Sequence, residues 1–498
     1  MKNFKYIGLM LLAVGFSACD VNNDLDEIVA DVVVLPDATA GSADFSNYVA
    51  LGASFSAGFS DGTVFLAAQS RSFPSIMASK MANMGGGAFL QPLVSDNLGG
   101  LTLGGNVIAG PRLFFNGSGL SVHPGTPTTE VSSILTGPFN NYGIPGAKSF
   151  HMVAPGYGSI TGVGSTANPY FVRMVPQNRA ATATVLGEAA SQGPTFFTIS
   201  EIGGNDVLQY ATSGGTGDVQ TGNLNPATYG GNDITDPNVF AGAFNAMVTT
   251  LTANGAKGAV VTVPSIANLP HFTTVPYNPI PMDAATAGAV NAGYAQYNGG
   301  LQLALAGSAI TAAEAAKRTI NFAAGQNAVV IVDEDLTDLS GLGLPNYRQA
   351  TADDLFVLGG LNFIGTGAFP SINGVTIPLA DQWVLTPEEQ NNIQTAVDAY
   401  NVSINAIAAA NDLAVVDLNQ LLTEAASGGT SFGNFSMSTS LIFGGLVSLD
   451  GIHLTSRGYA LMANKILEAI DGKYGSNFKD SGNLANADNY PTNYPPGI

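Results

Sequence analysis

The 498-residue chain has one cysteine, one tryptophan and four histidines, and only 10% of its residues are charged. A lone thiol excludes disulfide frameworks and Cys-based zinc sites. The fold must therefore be held by its apolar core, which a chain of this length forms easily. Cations are scarce as well: 16 Lys and Arg stand against 36 Asp and Glu, for a formal net charge of −20. That balance argues against nucleic-acid binding, which needs basic patches, and against electrostatic docking onto anionic lipid. The acidity reads as solubility. No segment has eighteen consecutive apolar residues, so no spanning helix is expected.

The single cysteine has a telling position. Lys2 and Lys5 precede an apolar stretch, Ile7 to Phe16, that is too short to span a bilayer, and Ser17 and Ala18 then lead into Cys19. This arrangement resembles a bacterial lipobox, with Phe16 where Leu is usual. The resemblance implies a signal peptide over 1–18 and a lipidated Cys19. It also implies an anchored place in the cell envelope, at the outer membrane, with the periplasmic or surface-exposed face left open. Residues 19–43 are acidic and then small, and read as a flexible tether between lipid and domain.

Beyond residue 43, short apolar runs alternate with helical patterns. Strands are expected at Tyr48 to Ala53, Pro194 to Ile202, Gly258 to Pro264, Ala328 to Val332 and Leu413 to Leu418. Helices are expected over 64–83, 236–251, an Ala-rich region near 283–323, from Thr386 and over 456–470. Thr386-Pro387-Glu388-Glu389 is a capping box with proline at the first helical position. Ile393, Val397, Tyr400, Ile404 and Ile407 form one stripe behind it. This alternation predicts a three-layer α/β/α sandwich around a mainly parallel sheet, occupying 44–475. Long loop insertions are expected near 86–140, 207–235 and 333–385, with a tail over 476–498.

Four short motifs carry the chemistry. Gly52-Ala53-Ser54-Phe55-Ser56-Ala57-Gly58 puts a hydroxyl on a turn between a strand and a helical segment, near the positive end of that helix. Serine needs a base to act as a nucleophile. His453 has Asp450 three residues before it, close enough for the carboxylate to hold one ring nitrogen while the other takes the serine proton. His123, His151 and His271 have no such partner at short spacing. The oxyanion of acyl transfer needs aimed donors. The N–H groups of Ser54 and of Gly146, in Asn141-Tyr142-Gly143-Ile144-Pro145-Gly146, can serve, and Asn205 in Gly203-Gly204-Asn205-Asp206 can add its amide.

Taken together and in this order, the motifs resemble those of the SGNH hydrolases, the GDSL-type esterases and lipases, and in particular lipoprotein members from Bacteroidetes-type bacteria. The resemblance spans about 45–475 through its four blocks. It implies Ser54 as nucleophile, Ser54, Gly146 and Asn205 as the oxyanion hole, Asp450 and His453 completing the triad, a flavodoxin-like α/β/α fold, and catalysis with no metal and no cofactor. The usual Gly-Asp-Ser is Gly-Ala-Ser here, and the missing aspartate is one that supports the turn. A monomeric serine hydrolase acting on small-molecule, lipid or glycan esters is therefore expected. Phe272, Val275 and Tyr277 can either line an acyl channel or pack their loop. The alternative is a surface lipoprotein that binds glycan or lipid without useful catalysis, suggested by Ala53 and the long insertions.

Overall fold

The computed structural model describes residues 34–497, so the signal segment and Cys19 lie outside the described residues. In chain order, the frame comprises β1 (Tyr48–Gly52), α1 (Ser54–Ala57), α2 (Phe73–Met81), β2 (Asn141–Gly143), α3 (Val185–Ala190), β3 (Phe196–Ser200), α4 (Asn205–Thr212), α5 (Pro237–Thr252) and β4 (Lys257–Val261). It continues with α6 (Ala284–Ala306), α7 (Pro387–Ala410), β5 (Ala414–Val416), α8 (Leu418–Ser427) and α9 (Ser456–Tyr474). The five strands form one parallel sheet in the order β5-β4-β3-β1-β2. This is the 2-1-3-4-5 order of doubly wound α/β sheets.

Helix α9 packs on β4 and β5 and against α2. Helix α7 packs on the same two strands and against α5, and α3 bridges α5 to β1 and β2. The sheet is thus covered on both faces, and every residue of β1 and β3 is buried. Buried parallel strands read as unbroken apolar runs for this reason. The expected capping box at Thr386 is present, with Glu389 Oε2 accepting the Thr386 N–H at 2.6 Å. The helix expected over 64–83 is two shorter ones, Leu66–Gln69 and α2, and Pro74 sits in the first turn of α2, where proline is tolerated.

Four expectations need correction. The region 333–385 is the second half of a larger excursion. Residues from Val275 to Val384 enclose an apolar core of their own, separate from the main one. Helix α6 belongs to it, burying Ala287, Val290, Tyr294, Tyr297, Leu301 and Ala304 at three- and four-residue spacing. The expected strand near 328–332 belongs there too. It pairs antiparallel with Tyr347–Gln349 and stays out of the central sheet. The region 207–235 begins inside α4, which packs on α7, so its irregular part starts only at 213.

The last part of the tether is also fixed. Ser42 donates its N–H to the Tyr474 carbonyl at 2.8 Å, and Lys257 Nζ donates to the Ser42 carbonyl at 2.7 Å. The C-terminal tail is a packed strap: Phe478 lies in the main core, and Arg112 from the 86–140 segment donates to the carbonyls of Tyr494 and Pro495. No described helix is long and apolar enough to cross a membrane.

Candidate active site

The register of the sheet gathers the motifs. Gly52 at the end of β1 lies opposite Gly143 of β2 on one side and Ser200 of β3 on the other. Ser54 follows two residues after that row, Gly146 three, and Asn205 five. The carboxyl edge of a doubly wound sheet, where neighbouring chains leave in opposite directions, is where such folds place ligands. A side chain at Gly143 would put its Cβ 2.2 Å from the Ala57 N, so glycine there lets the α1 turn settle against the sheet.

Asp450 and His453 form the expected pair, with Asp450 Oδ2 2.9 Å from His453 Nδ1. The carboxylate is well anchored. Its Oδ1 accepts the N–H groups of Ile452 and His453, each at 2.9 Å, and its Oδ2 accepts the Gly62 N–H at 2.9 Å. Burial would raise this carboxyl, but the His453 ring and the N–H donors outweigh burial and hold it well below the usual carboxylate range. With Nδ1 engaged, Nε2 is the nitrogen left for chemistry. Phe59 lies against the imidazole at a ring-centroid distance of 4.3 Å, and Phe55 meets it edge-on at 5.9 Å.

None of the other three histidines has this arrangement. His123 bridges the carbonyls of Pro124 and Pro496. His151 closes a turn on the Lys148 N–H, and burial lowers it to about 4. His271 lies 3.3 Å from the Asp450 backbone carbonyl, not from its carboxylate.

Ser54, Asn205 and His453 are all buried and all line one cavity at the sheet edge. Asn205 opens α4, and its Nδ2 donates to the Ala147 carbonyl at 3.0 Å, which ties the amide to the segment carrying Gly146. The Gly143 N–H is already given to Asn141 Oδ1 at 3.0 Å, so of the two glycines Gly146 is the one with a donor to offer. Gly146 has φ +77°, a conformation that side chains rarely adopt. It borders this region without lining the cavity itself. No protein atom lies within 4 Å of where its Cβ would stand, so within the chain it is backbone conformation that favours glycine here.

The helix that Ser54 opens is only four residues long, too short for the helix field expected there, and its amides beyond Ser54 are committed. Glu201 Oε1 accepts the N–H of Phe55 at 2.7 Å and of Ser56 at 3.3 Å, while Ser200 Oγ donates to Oε2 at 2.9 Å. Burial pushes this carboxyl up to about 8, against the pull of Ser200 and of the N–H groups of Ser56, Phe55 and Ala53. Glu201 has φ +48°, which costs an L-residue roughly 1–2 kcal/mol.

Sequence reasoning missed Glu201. The available signal was one acidic residue near the end of the strand expected over Pro194 to Ile202. It also missed Asp61, whose Oδ1 accepts the Leu449 N–H at 3.0 Å behind the Asp450 loop. Burial pushes Asp61 up to about 7, and the Asp450 charge adds to the rise.

The cavity has about 710 Å³ of empty space, counting its mouth, and its wall is almost wholly apolar. Leu418, Leu421 and Leu422 of α8 form one side, and Pro264, Ile266 and Leu269 after β4 form another. Phe272 and Val275 are buried in the two cores and Tyr277 packs against the second, so all three pack their loop and none lines this cavity. The Glu334, Asp381 and Glu389 carboxylates, elsewhere on the molecule, are the described residues able to gather around a metal ion. Compared with family models, curated proteins and solved structures, the chain finds no match in any of the three.

Proposed function

We propose that the protein is a serine esterase of the SGNH type, cleaving carboxylic esters of apolar acyl chains through an acyl-enzyme. The observation that carries this reading is that Ser54, Asn205 and the Asp450-held His453 line one apolar cavity. In the proposed reaction His453 Nε2 takes the Ser54 Oγ proton as Oγ attacks the ester carbonyl carbon. The N–H groups of Ser54 and Gly146 and the Asn205 amide receive the oxyanion, each worth on the order of 3 kcal/mol. His453 then gives its proton to the departing alcohol. A water, deprotonated by His453, attacks the acyl-enzyme and releases the acid and the Ser54 hydroxyl.

The apolar wall favours an acyl chain of several carbons over an acetyl group on a glycan, because each buried methylene contributes about 0.8 kcal/mol. Glu201 supplies a support for the turn where Ala53 replaces the usual aspartate, which favours a working enzyme over a binding lipoprotein. A nitrophenyl ester series from acetate to dodecanoate tests the proposal. Turnover is expected to peak at intermediate chain length, and Ser54→Ala to lose it by about 10³-fold or more. Absence of turnover across the series, or a Ser54→Ala variant as active as the parent, rules the reading out.

The lipid anchor on Cys19 belongs to the same proposal, placing the enzyme at an envelope membrane facing ester-bearing lipid. Mass spectrometry of the mature N-terminus tests it, with a diacylglyceryl-modified Cys19 expected and an unmodified one excluding the anchor.

A further inference from the structure

Away from the cavity, three carboxylates from separate segments meet where the 275–385 unit joins the sheet frame. Glu389 comes from the first turn of α7, Glu334 follows the strand Val330–Val332, and Asp381 precedes α7. One oxygen from each lies within 4.8 Å of the others. Like charges at this spacing repel unless a proton or a cation lies between them, and burial together with the Glu334 carboxyl pushes both Asp381 and Glu389 up. Among the described residues, no Lys, Arg or His forms an ion pair with any of the three. The nearby Lys317 is engaged with Asp333 at 3.5 Å and Glu388 at 3.7 Å.

A second observation points to a ligand. Glu389 is only 2% exposed, and while its Oε2 serves the capping box, its Oε1 is buried with no hydrogen-bond partner. Asp381 Oδ1 is buried and unpartnered in the same way. Two such orphaned acceptors in one place are unusual, since buried polar atoms are nearly always satisfied. The Gly214–Gly215 backbone packs closely against one side of the cluster: at Gly215, φ +79°, a Cβ would stand 1.7 Å from Glu389 Oε1, and at Gly214, φ +65°, one would stand 2.1 Å from the Asp381 backbone carbonyl, so glycine is required at both. Glu334 is exposed and provides a way in from solvent.

We propose that Glu334, Asp381 and Glu389 bind a hard divalent cation of the Ca²⁺ class, which fastens the 275–385 unit to the first turn of α7. The donor set is oxygen alone, which suits Ca²⁺ or Mg²⁺ and not the imidazole- and thiolate-seeking metals. The three carboxylates come from different segments, an adaptable arrangement that suits the six to eight ligands and variable geometry of Ca²⁺ better than the strict octahedron of Mg²⁺.

The test uses the purified chain stripped with EDTA and titrated with CaCl₂, followed by calorimetry and thermal unfolding. One saturable site is expected, with the unfolding midpoint rising by about 3 °C at a hundredfold excess over Kd. Glu334→Gln, at an exposed position that leaves the fold intact, is expected to weaken Ca²⁺ binding by about tenfold or more. Asp381→Asn is expected to do the same, and MgCl₂ to bind about tenfold more weakly than CaCl₂. No heat and no midpoint shift with CaCl₂, or unchanged binding in both variants, overturns the site. Equal binding of the two cations overturns the Ca²⁺ assignment. Ester turnover plays no part in these readouts, so the outcome is independent of the proposed activity.

Discussion

Glu201 accepts the backbone N–H of Phe55 at 2.7 Å, so a side chain at the end of β3 holds the turn that presents Ser54 at the end of β1. Its second contact, with the Ser56 N–H, pins the next amide of the same turn. The Ser54 N–H takes no part in these bonds and stays available as an oxyanion donor.

This makes Glu201 a positioning residue, and its substitutions should separate by hydrogen-bonding capacity. Glu201→Gln keeps a carbonyl oxygen for the two N–H groups and is expected to retain kcat within about tenfold. Glu201→Ala leaves two buried amides unpaired and is expected to lower kcat by about 10²-fold with KM little changed, the mark of a misplaced nucleophile. Ester kinetics with Gln rescue checks this. Equal losses in the two variants, or a loss confined to KM, would remove Glu201 from the account.

Glu201 and Asp61 also give stability a pH dependence. Both are carboxyls raised by burial, to about 8 and about 7, from ordinary values of 4.5 and 3.8. An acid raised in this way holds its proton more tightly when folded. Its contribution is therefore complete below the ordinary value and is lost as pH rises through the folded one. Asp450 works in the opposite sense: it is held low by His453 and contributes stability that is lost as pH falls below 3.8. The unfolding midpoint should accordingly be highest near pH 4–5 and decline toward pH 8. Thermal melts across pH 3–9 test this, and the decline should flatten in a Glu201→Gln, Asp61→Asn double variant. An unchanged slope in that variant contradicts the assignment.

Much of the frame was legible in the sequence because buried parallel strands and capped helices leave local marks. The runs around Val49, Phe197, Val260 and Val415 become four of the five sheet strands, and Thr386 starts its helix as its capping box predicts. The fifth strand, Asn141–Gly143, was visible only as a motif, since three residues carry no period. The 275–385 unit escaped notice for a different reason. The stripe on α6 shows that one face is buried but cannot show against which core. Three of the four motifs lie at the ends of sheet strands, so parallel topology explains their meeting. Glu201 depends on contacts 145 or more residues away, which no local pattern encodes.

The inserted unit has a buried ionic centre that predicts its own behaviour. Arg348 pairs with Asp333 through Nε and with Asp354 through two bonds of 2.7 Å, all three side chains almost fully buried. Removing one partner strands the opposite charges, at a cost of about 3–5 kcal/mol. Arg348→Ala is therefore expected to loosen 275–385 at lower denaturant than the sheet frame. Trp383, stacked on Phe363 at 4.4 Å and the only tryptophan in the chain, reports on this region by fluorescence. A single transition by both Trp383 fluorescence and far-UV circular dichroism, unshifted from the parent, counts against an independently breakable unit.

Acyl preference should be set by α8. Leu418, Leu421, Leu422 and Ala425 form its buried stripe, and the three leucines face the cavity that holds Ser54 and His453. A larger side chain at Leu421 shortens the space for the acyl chain without touching the Asp450–His453 pair. For each methylene that no longer fits, the lost burial is about 0.8 kcal/mol, close to fourfold in kcat/KM. Leu421→Phe is expected to lower kcat/KM for octanoate relative to butanoate by about tenfold or more, while acetate turnover stays near the parent value. Leu421→Ala should shift the optimum toward longer chains. Nitrophenyl ester profiles of the two variants decide the matter: if both keep the parental profile, the acyl chain lies elsewhere and the apolar cavity is not its binding site.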